Sequence, residues 1–404
     1  MSKRSVVSLM GLILATTVMV SSSRAAPSRG PTARQEGPPR LRSDGSPGTS
    51  PFDSIIAGFR DRQGIPGLAV CIVEKGRVVH LAGYGFADLE SKRPVTPATL
   101  FHTASVSKTF VATAVMQLVE TGRIDLDRSV ITYLPYFRLS DPVRTTRVTV
   151  RQLLSHTSGM PDVRDYEWEA PDDDDGVLER YVRGLKVQRF VSPPGERFVY
   201  SNMAYEVLGD VIAKVSGLTF EDYMRVHVLE PAGMAASTFF RPASGSGVSA
   251  EPYVGRGRAR ASDVYPYNRA HAPSSTLHAS ASDMCDWIVE NVGSAGRGQG
   301  GGTVLGDAAR DTMWTRHVQV RPDVQMGLGW MLADSPLGLW VRHGGRDIGF
   351  QSHLSLFPDV RGGLAILSNY SETPVSELRD MLIALMVRTQ GADNEDDARG
   401  GIQP

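Results

Sequence analysis

Residues 101–122 read FHTASVSKTFVATAVMQLVETG. The apolar side chains of this segment recur at the spacing of one helix face, at Val106, Phe110, Ala114, Val115, Leu118 and Val119. Gly122 follows the last of them, and glycine commonly ends a helix. The segment therefore predicts a helix over 105–121 with one buried face and with Ser105 in its first turn.

Ser105 and Lys108 form a Ser-x-x-Lys motif at the start of this helix. Side chains three residues apart are neighbours on a helix, so the hydroxyl and the amine can meet. A serine hydroxyl alone is a weak nucleophile, and a desolvated neutral lysine beside it can take its proton. The free N–H groups of the helix N-terminus would stabilise an oxyanion. The tetrapeptide is common, so an N-cap serine followed by a solvated lysine is the alternative interpretation.

A second polar pair, Tyr200 and Asn202, follows a turn at 193–196. In an extended segment these two side chains point to the same side, where they supply a proton carrier and a hydrogen-bond donor. A core tyrosine and the N-cap of the next helix, predicted over 203–216, is the alternative.

A third motif, His343-Gly344-Gly345, follows the strand candidate Trp340–Arg342. The histidine is a titratable group at a strand edge, and the glycines let a ligand lie against the strand backbone. A surface histidine before a turn is the alternative.

In their order and rough spacing, the three motifs resemble those of the serine β-lactamase and penicillin-binding-protein superfamily. The resemblance is closest to its class C β-lactamase-like, D-alanyl-D-alanine carboxypeptidase and esterase branch, and it covers about residues 52–388. The strings LLSHTSGM (153–160) and GLGW (327–330) agree with it. It implies an α+β, β-lactamase/transpeptidase-like fold, in which an antiparallel sheet is flanked by helices and carries a mostly helical inserted lobe.

The resemblance also implies a role for each motif residue. Ser105 is the acylated nucleophile, Lys108 is its base or proton relay, and Tyr200 shuttles protons. Asn202 holds Lys108 and the substrate amide. The backbone N–H groups of Ser105 and Arg346 form the oxyanion hole, and the segment 343–346 binds substrate.

The third motif departs from the Lys-Thr-Gly or Lys-Ser-Gly that is typical of true β-lactamases. His343 is mostly neutral near pH 7, and Gly344 lacks a hydroxyl donor, so binding of a penicillin carboxylate is weakened. We therefore expect a serine hydrolase of the esterase or D-peptidase type, acting on a small-molecule or peptide substrate, with β-lactamase action as a side activity. The alternative is a catalytically inactive protein of this fold that binds cell-wall peptide or a protein partner.

The composition is that of a globular chain, and it excludes several classes of function. The 404 residues are 41% hydrophobic and 22% charged, with a formal net charge of −1. The chain has no excess of basic residues, so its charge does not indicate a nucleic-acid partner. The glycine pattern at 296–301 lies in a loop with no strand before it, so it does not predict a dinucleotide site. The scattered histidines and the acidic run Asp172–Asp175 do not predict a metal site, and no cofactor is implied.

Both ends of the chain carry segments outside the predicted domain. Lys3 and Arg4 precede an apolar run at 6–20, and small residues follow, which is typical of a secretory signal peptide over 1–25. A lone membrane helix is the alternative. Cleavage would leave a secreted or periplasmic protein without a stable membrane span. Residues 27–51 and 389–404 are polar or rich in Pro and Gly, so they predict a disordered linker and a disordered tail.

Between these segments, strand and helix patterns predict two lobes. An opening helix from Phe52, a hairpin of 67–74 and 77–83 around Lys75-Gly76, strands at 350–357 and 364–368, and a last helix at 374–388 form an α/β lobe. This lobe takes about 52–100 and 318–388. Further helices at 220–228 and 280–291 and a glycine-rich loop at 294–302 fall in the helical lobe of about 101–317.

Two cysteines, Cys71 and Cys285, exclude a multi-disulfide scaffold. Cys71 lies in an apolar run and Cys285 in a predicted helix. An exported protein allows them to pair, but the sequence does not bring them together, so buried free thiols are the favoured interpretation. The sequence carries no signal for an oligomeric state.

Overall fold

A nine-stranded antiparallel sheet forms the centre of the structure. The computed structural model describes residues 50–243, 245–293 and 304–400, with side chains to 389, and these residues lie within one compact unit. The predicted signal peptide, nearly all of the linker and the glycine-rich loop lie outside the described residues. The strands are β1 Gly67–Glu74, β2 Arg77–Asp88, β3 Arg93–Pro94, β4 Phe101–His102, β5 Tyr253–Val254, β6 Arg260–Ala261, β7 His278–Ala279, β8 Val318–Arg321, β9 Val324–Met326, β10 Met331–Ser335, β11 Gly338–Asp347, β12 Phe350–Phe357 and β13 Gly362–Ser368.

Both ends of the domain contribute to this sheet, as the sequence predicts. Its strand order is β3-β2-β1-β13-β12-β11-β10-β9-β8, so β1 from the first hairpin pairs with the last strand, β13. The predicted two-residue turn is present between β1 and β2, where Lys75 and Gly76 have φ of 51° and 73°. Positive φ at both central residues matches the right-handed twist of the flanking strands. The short pairs β4–β7 and β5–β6 lie outside the large sheet.

Helices cover both faces of the sheet. They are α1 Pro51–Gln63, α2 Ser107–Glu120, α3 Pro142–Thr145, α4 Val150–Leu154, α5 Val177–Gly184, α6 Asn202–Ser216, α7 Phe220–Tyr223, α8 Ala272–Ser275, α9 Ala281–Val292, α10 Asp307–Met313 and α11 Val375–Gly400. On one face, α1 and α11 bury side chains such as Ile56 and Leu382 against Val70 and Ile366. On the other face lies the larger core, which α2, α6 and α9 share. The predicted fold class is confirmed.

Glycines end the two central helices where the pattern places them. Gly122 and Gly217 have φ of 69° and 79°, a left-handed conformation that glycine adopts without strain. The predicted helix at 220–228 is instead the short α7 followed by a π-helical segment, Met224–Leu229. Helix α11 continues to Gly400. It therefore passes the predicted helix end at 388 and enters the segment for which the sequence predicts a disordered tail.

The expectation of free thiols is wrong, because Cys71 and Cys285 form a disulfide with a Cα–Cα distance of 5.7 Å. Residues alternate between the faces of β1, and Cys71 points to the face on which α9 packs. The two cysteines are 214 residues apart in sequence, so only the packing of α9 across β1 and β13 brings them together.

Candidate active site

Ser105 lies on a tight turn that leads into α2. The 3₁₀ turn Ala104–Val106 precedes the helix, and Ala104 has φ of 48° although it is not glycine. Such a conformation persists only where its surroundings fix it. The Ser107 hydroxyl does this, because it donates to the Ala104 carbonyl at 2.6 Å and accepts the Leu277 N–H at 3.0 Å. The predicted helix thus begins two residues later than expected, and the turn presents the Ser105 hydroxyl.

Lys108 lies one turn further along and is fully buried. Its Nζ donates to Ser105 Oγ at 2.9 Å and to the Ser274 carbonyl at 2.7 Å. Burial lowers the pKa of Lys108 to about 8, although the charges of Glu206, Asp347 and Asp162 act to raise it. A lysine with this pKa is partly neutral near pH 7, which is what a base for the serine proton requires.

Tyr200 reaches the same hydroxyl from a segment 95 residues away. Its Oη donates to Ser105 Oγ at 3.0 Å, and its ring stacks on His156 with centroids 4.3 Å apart. Burial raises the pKa of Tyr200, so the phenol keeps its proton at neutral pH. Of the two groups on Ser105, Lys108 is therefore suited to accept a proton and Tyr200 to pass one on.

His156 supports Tyr200 without touching Ser105. Its Nδ1 accepts the Ser201 backbone N–H at 3.1 Å, and burial keeps the pKa of His156 well below its usual range. This neutral ring fixes the start of α6.

Asn202 contacts a residue that the sequence analysis did not single out. Its backbone N–H and its Nδ2 both donate to Asp162 Oδ1 at 2.8 Å. The expected contact with Lys108 is not formed, because the lysine donates to Ser105 and to the Ser274 carbonyl instead. The side-chain oxygen of Asn202, Oδ1, is buried without a hydrogen-bond partner.

The third motif lies inside β11 rather than after a strand. His343 donates from Nδ1 to the Gly344 carbonyl at 2.8 Å, since that oxygen can only accept. Burial, aided by the charge of Lys108, lowers the pKa of His343 to about 3, so the ring is neutral. Its ring centroid is 6.5 Å from that of Tyr200.

The two glycines of the motif face different surroundings. A Cβ on Gly345 would lie 2.2 Å from the Thr103 carbonyl oxygen, so β11 presses directly on the turn before Ser105. Gly344 is exposed and lines a cavity of about 520 Å³, together with Arg346. The Arg346 side chain is 68% exposed and lies 4.0 Å from Glu372. The structure brings Ser105, Lys108, Tyr200 and His343 together, while the Arg346 side chain points away.

Two buried networks that support the site were also missed. Glu206 accepts from the Ser274 hydroxyl at 2.7 Å and contacts His271 Nδ1 at 3.0 Å, so it fixes the segment whose carbonyl holds Lys108. At the end of β11, Asp347 contacts His102 Nε2 at 2.7 Å. No local sequence pattern marks these residues, because each contact joins distant segments.

Comparison with known proteins identifies the family. Residues 52–388 match the Beta-lactamase family. The chain belongs to the Beta-lactamase family. Its fold is the one that β-lactamases and penicillin-binding proteins share.

The chain is similar to the protein flp of Staphylococcus aureus (strain MW2), with 30% identity over 237 residues, 59% of this chain and 47% of flp. It spans about half the length of the curated relatives it matches. Among solved structures, the octameric penicillin-binding protein homologue from Pyrococcus abyssi has a TM-score of 0.69 and 26% identity, over 83% of this chain and 76% of that one. A penicillin binding protein from Bacillus halodurans shares the fold, with a TM-score of 0.68 and 24% identity over 84% of this chain and 100% of that one.

Neither a metal site nor a membrane helix is found in the described part of this Beta-lactamase family member. No cluster of three potential metal ligands occurs among residues 50–243, 245–293 and 304–400. In the same ranges, no helix is both long and apolar enough to span a bilayer.

Proposed function

We propose that this chain is an exported serine hydrolase that cleaves an ester or amide through an acyl-enzyme on Ser105. One observation carries the proposal, namely that Ser105 Oγ lies 2.9 Å from a buried amine and 3.0 Å from a half-buried phenol. A hydroxyl held between a base and a proton relay is the arrangement that nucleophilic catalysis requires.

The reaction has two steps. Ser105 Oγ attacks the substrate carbonyl carbon while neutral Lys108 takes the hydroxyl proton. The bond to the leaving group then breaks, and the leaving oxygen or nitrogen receives a proton through Tyr200. In the second step, water attacks the carbonyl carbon of the acyl-serine. The acyl group leaves as a carboxylic acid, and Ser105 Oγ regains its proton. The backbone N–H groups of Ser105 and Arg346 stabilise the oxyanion in both steps.

An esterase or D-peptidase activity fits this cleft better than penicillin hydrolysis does. Where true β-lactamases typically carry a lysine, this chain has His343, whose pKa burial lowers to about 3. A neutral ring provides no positive charge for the carboxylate of a penicillin.

Export is supported by the N-terminal pattern and by the disulfide. Residues 1–25 have the order of a cleavable signal peptide. Disulfides persist mainly in oxidising compartments, and Cys71–Cys285 is buried in the core. We therefore place the mature protein outside the cytoplasm, as a secreted or periplasmic enzyme.

Covalent labelling tests the catalytic proposal. The protein is treated with a fluorophosphonate and with a fluorescent penicillin, and the adduct is located by peptide mapping; Ser105→Ala serves as the control. We expect the adduct on Ser105 and none in the variant. In parallel, short-chain esters, D-amino-acid peptides and nitrocefin are screened for turnover. A folded protein that takes no label and turns over nothing would instead be a binding protein of this fold.

A further inference from the structure

Two buried hydrogen-bond acceptors without a partner belong to His343 and Asn202, which both lie near Tyr200. His343 donates from Nδ1, so its Nε2 carries a lone pair, and this atom is buried with no partner. The side-chain oxygen of Asn202, Oδ1, is likewise buried with no hydrogen-bond partner. The two residues are only 2% and 7% exposed. Because buried acceptors are normally satisfied, these atoms point to donors on a bound molecule.

Each acceptor residue is connected to a carboxylate, His343 through the strand it shares with Asp347 and Asn202 through its bonds to Asp162. Asp347 shares a face of β11 with His343 and Gly345, since residues alternate along a strand. Its carboxylate contacts His102 Nε2 at 2.7 Å. On the other side, Asp162 accepts both Asn202 bonds with Oδ1, which leaves Oδ2 unbonded.

Neither carboxylate is neutralised by an arginine or a lysine within the described ranges. The acidic run that the sequence analysis noted behaves differently, because Asp172 and Asp174 both pair with Arg180. The charges that act on both Lys108 and Tyr200 are those of Glu206, Asp347 and Asp162, all acidic. The charged groups that act on this part of the site are therefore acidic, apart from Lys108 itself.

An aromatic ring lies among these acids. Tyr166 is half-buried, stacks on Trp168 at 4.8 Å and meets His271 edge-on at 4.9 Å. Burial raises the pKa of Tyr166, and the nearby charges of Asp347 and Asp162 raise it further. A ring next to carboxylates is a surface that binds an ammonium group.

We propose that the cleft selects esters or amides that carry a protonated amine near the reacting carbonyl, and that Asp162 and Asp347 bind this ammonium. An ammonium has three donors and no acceptor, so it matches a cleft lined with acceptors and negative charge. A carboxylate on the substrate would face like charges. The proposal rests on the hydrolase function proposed above and names its substrate class.

Three acyl groups of one shape test this selection. Alanyl, isobutyryl and methylmalonyl differ only in carrying an ammonium, a methyl or a carboxylate on the same carbon. Each is offered as a methyl ester and as a 4-nitroanilide, with both alanyl enantiomers, at neutral pH. We expect kcat/KM to be about tenfold or more higher for one alanyl enantiomer than for isobutyryl, and to be lower still for methylmalonyl. High salt should reduce the differences.

Matched variants identify the carboxylates. Asp162→Asn and Asp347→Asn should each lower the alanyl-to-isobutyryl ratio several-fold and change isobutyryl turnover less. Asp174→Asn removes an acid that is already paired with Arg180, so it should leave the ratio unchanged. Equal turnover of alanyl and isobutyryl, or a ratio that neither cleft variant alters, would overturn the proposal. Ser105-dependent hydrolysis of isobutyryl would then still support the hydrolase function, whereas absence of both turnover and covalent label would count against that function itself.

Discussion

Replacing Gly345 with alanine should displace the turn that carries Ser105, although the side chain added is only a methyl group. A Cβ at this position would lie 2.2 Å from the Thr103 carbonyl oxygen, 2.4 Å from Ser352 Oγ and 3.1 Å from the Ala104 Cβ. Ordinary contact begins at 3.4 Å, so β11 and the turn before Ser105 must separate by about 1 Å. Two of the three close atoms belong to the turn itself, which cannot yield without moving Ser105.

This separation has two consequences. Overpacking of this kind destabilises a protein by about 1–3 kcal/mol. A misplacement of about 1 Å in a catalytic constellation can lower the rate by roughly 10²-fold. We therefore expect Gly345→Ala to lower both the melting temperature and the second-order rate of fluorophosphonate labelling at Ser105.

Gly344→Ala is the matched control. The nearest atoms to a Cβ on Gly344 are at 3.8 Å, so the methyl group fits without displacement. We expect this variant to keep the wild-type melting temperature and to label faster than Gly345→Ala. The reasoning is refuted if Gly345→Ala labels at the wild-type rate, or if the two variants are equally impaired.

Three further predictions follow from the site and the core. Tyr200→Phe should reduce the labelling rate by roughly 10²–10⁴-fold, because it removes the proton relay. Tyr205→Phe is the control and should label normally, because it loses only a bond to the Leu154 carbonyl. An equal loss of labelling rate in both variants would exclude a special role for Tyr200. The labelling rate should rise with pH up to about 8, since only neutral Lys108 accepts the serine proton. Glu206→Gln should move this rise to lower pH, because the Glu206 carboxylate raises the pKa of Lys108. A labelling rate that does not change with pH below 8 would contradict the assignment of Lys108 as the base. Replacing Cys71 and Cys285 together with alanine should lower the free energy of unfolding by about 2–5 kcal/mol in denaturant titrations, and an unchanged midpoint would show that the crosslink is dispensable.

The contacts of the site that sequence anticipates are local or join residues of a shared motif. The contact between Ser105 and Lys108 follows from their spacing of three residues, because the turn and helix between them are local structure. Tyr200 stood out as a candidate proton carrier, but its place beside Ser105 could be predicted only through the resemblance, since 95 residues separate the two. The hairpin at Lys75-Gly76 and the helix ends at Gly122 and Gly217 were predictable because glycine marks positive φ.

The contacts that sequence missed join distant segments without a repeated pattern. Asp162 binds Asn202, and the Ser274 carbonyl binds Lys108, across 40 and 166 residues. A backbone carbonyl leaves no mark in the sequence at all. The disulfide was missed for the same reason, because no spacing rule predicts that α9 crosses β1 at Cys71.

Burial is the other quantity that the sequence does not contain. A lysine and a histidine would titrate near their ordinary values in water. In the folded protein, burial lowers the pKa of Lys108 to about 8 and that of His343 to about 3. These shifts decide which group is a base and which is a neutral ring, and they depend on the packing of the whole cleft.

The most direct test of the account is a crystal structure of the protein after inactivation by a fluorophosphonate. We predict a phosphorus bonded to Ser105 Oγ, with Lys108 Nζ and Tyr200 Oη both remaining within about 3.5 Å of that oxygen. Phosphorus on a different side chain, or an amine and a phenol that lie beyond hydrogen-bond distance from Ser105, would contradict the claim that these three groups form one catalytic unit.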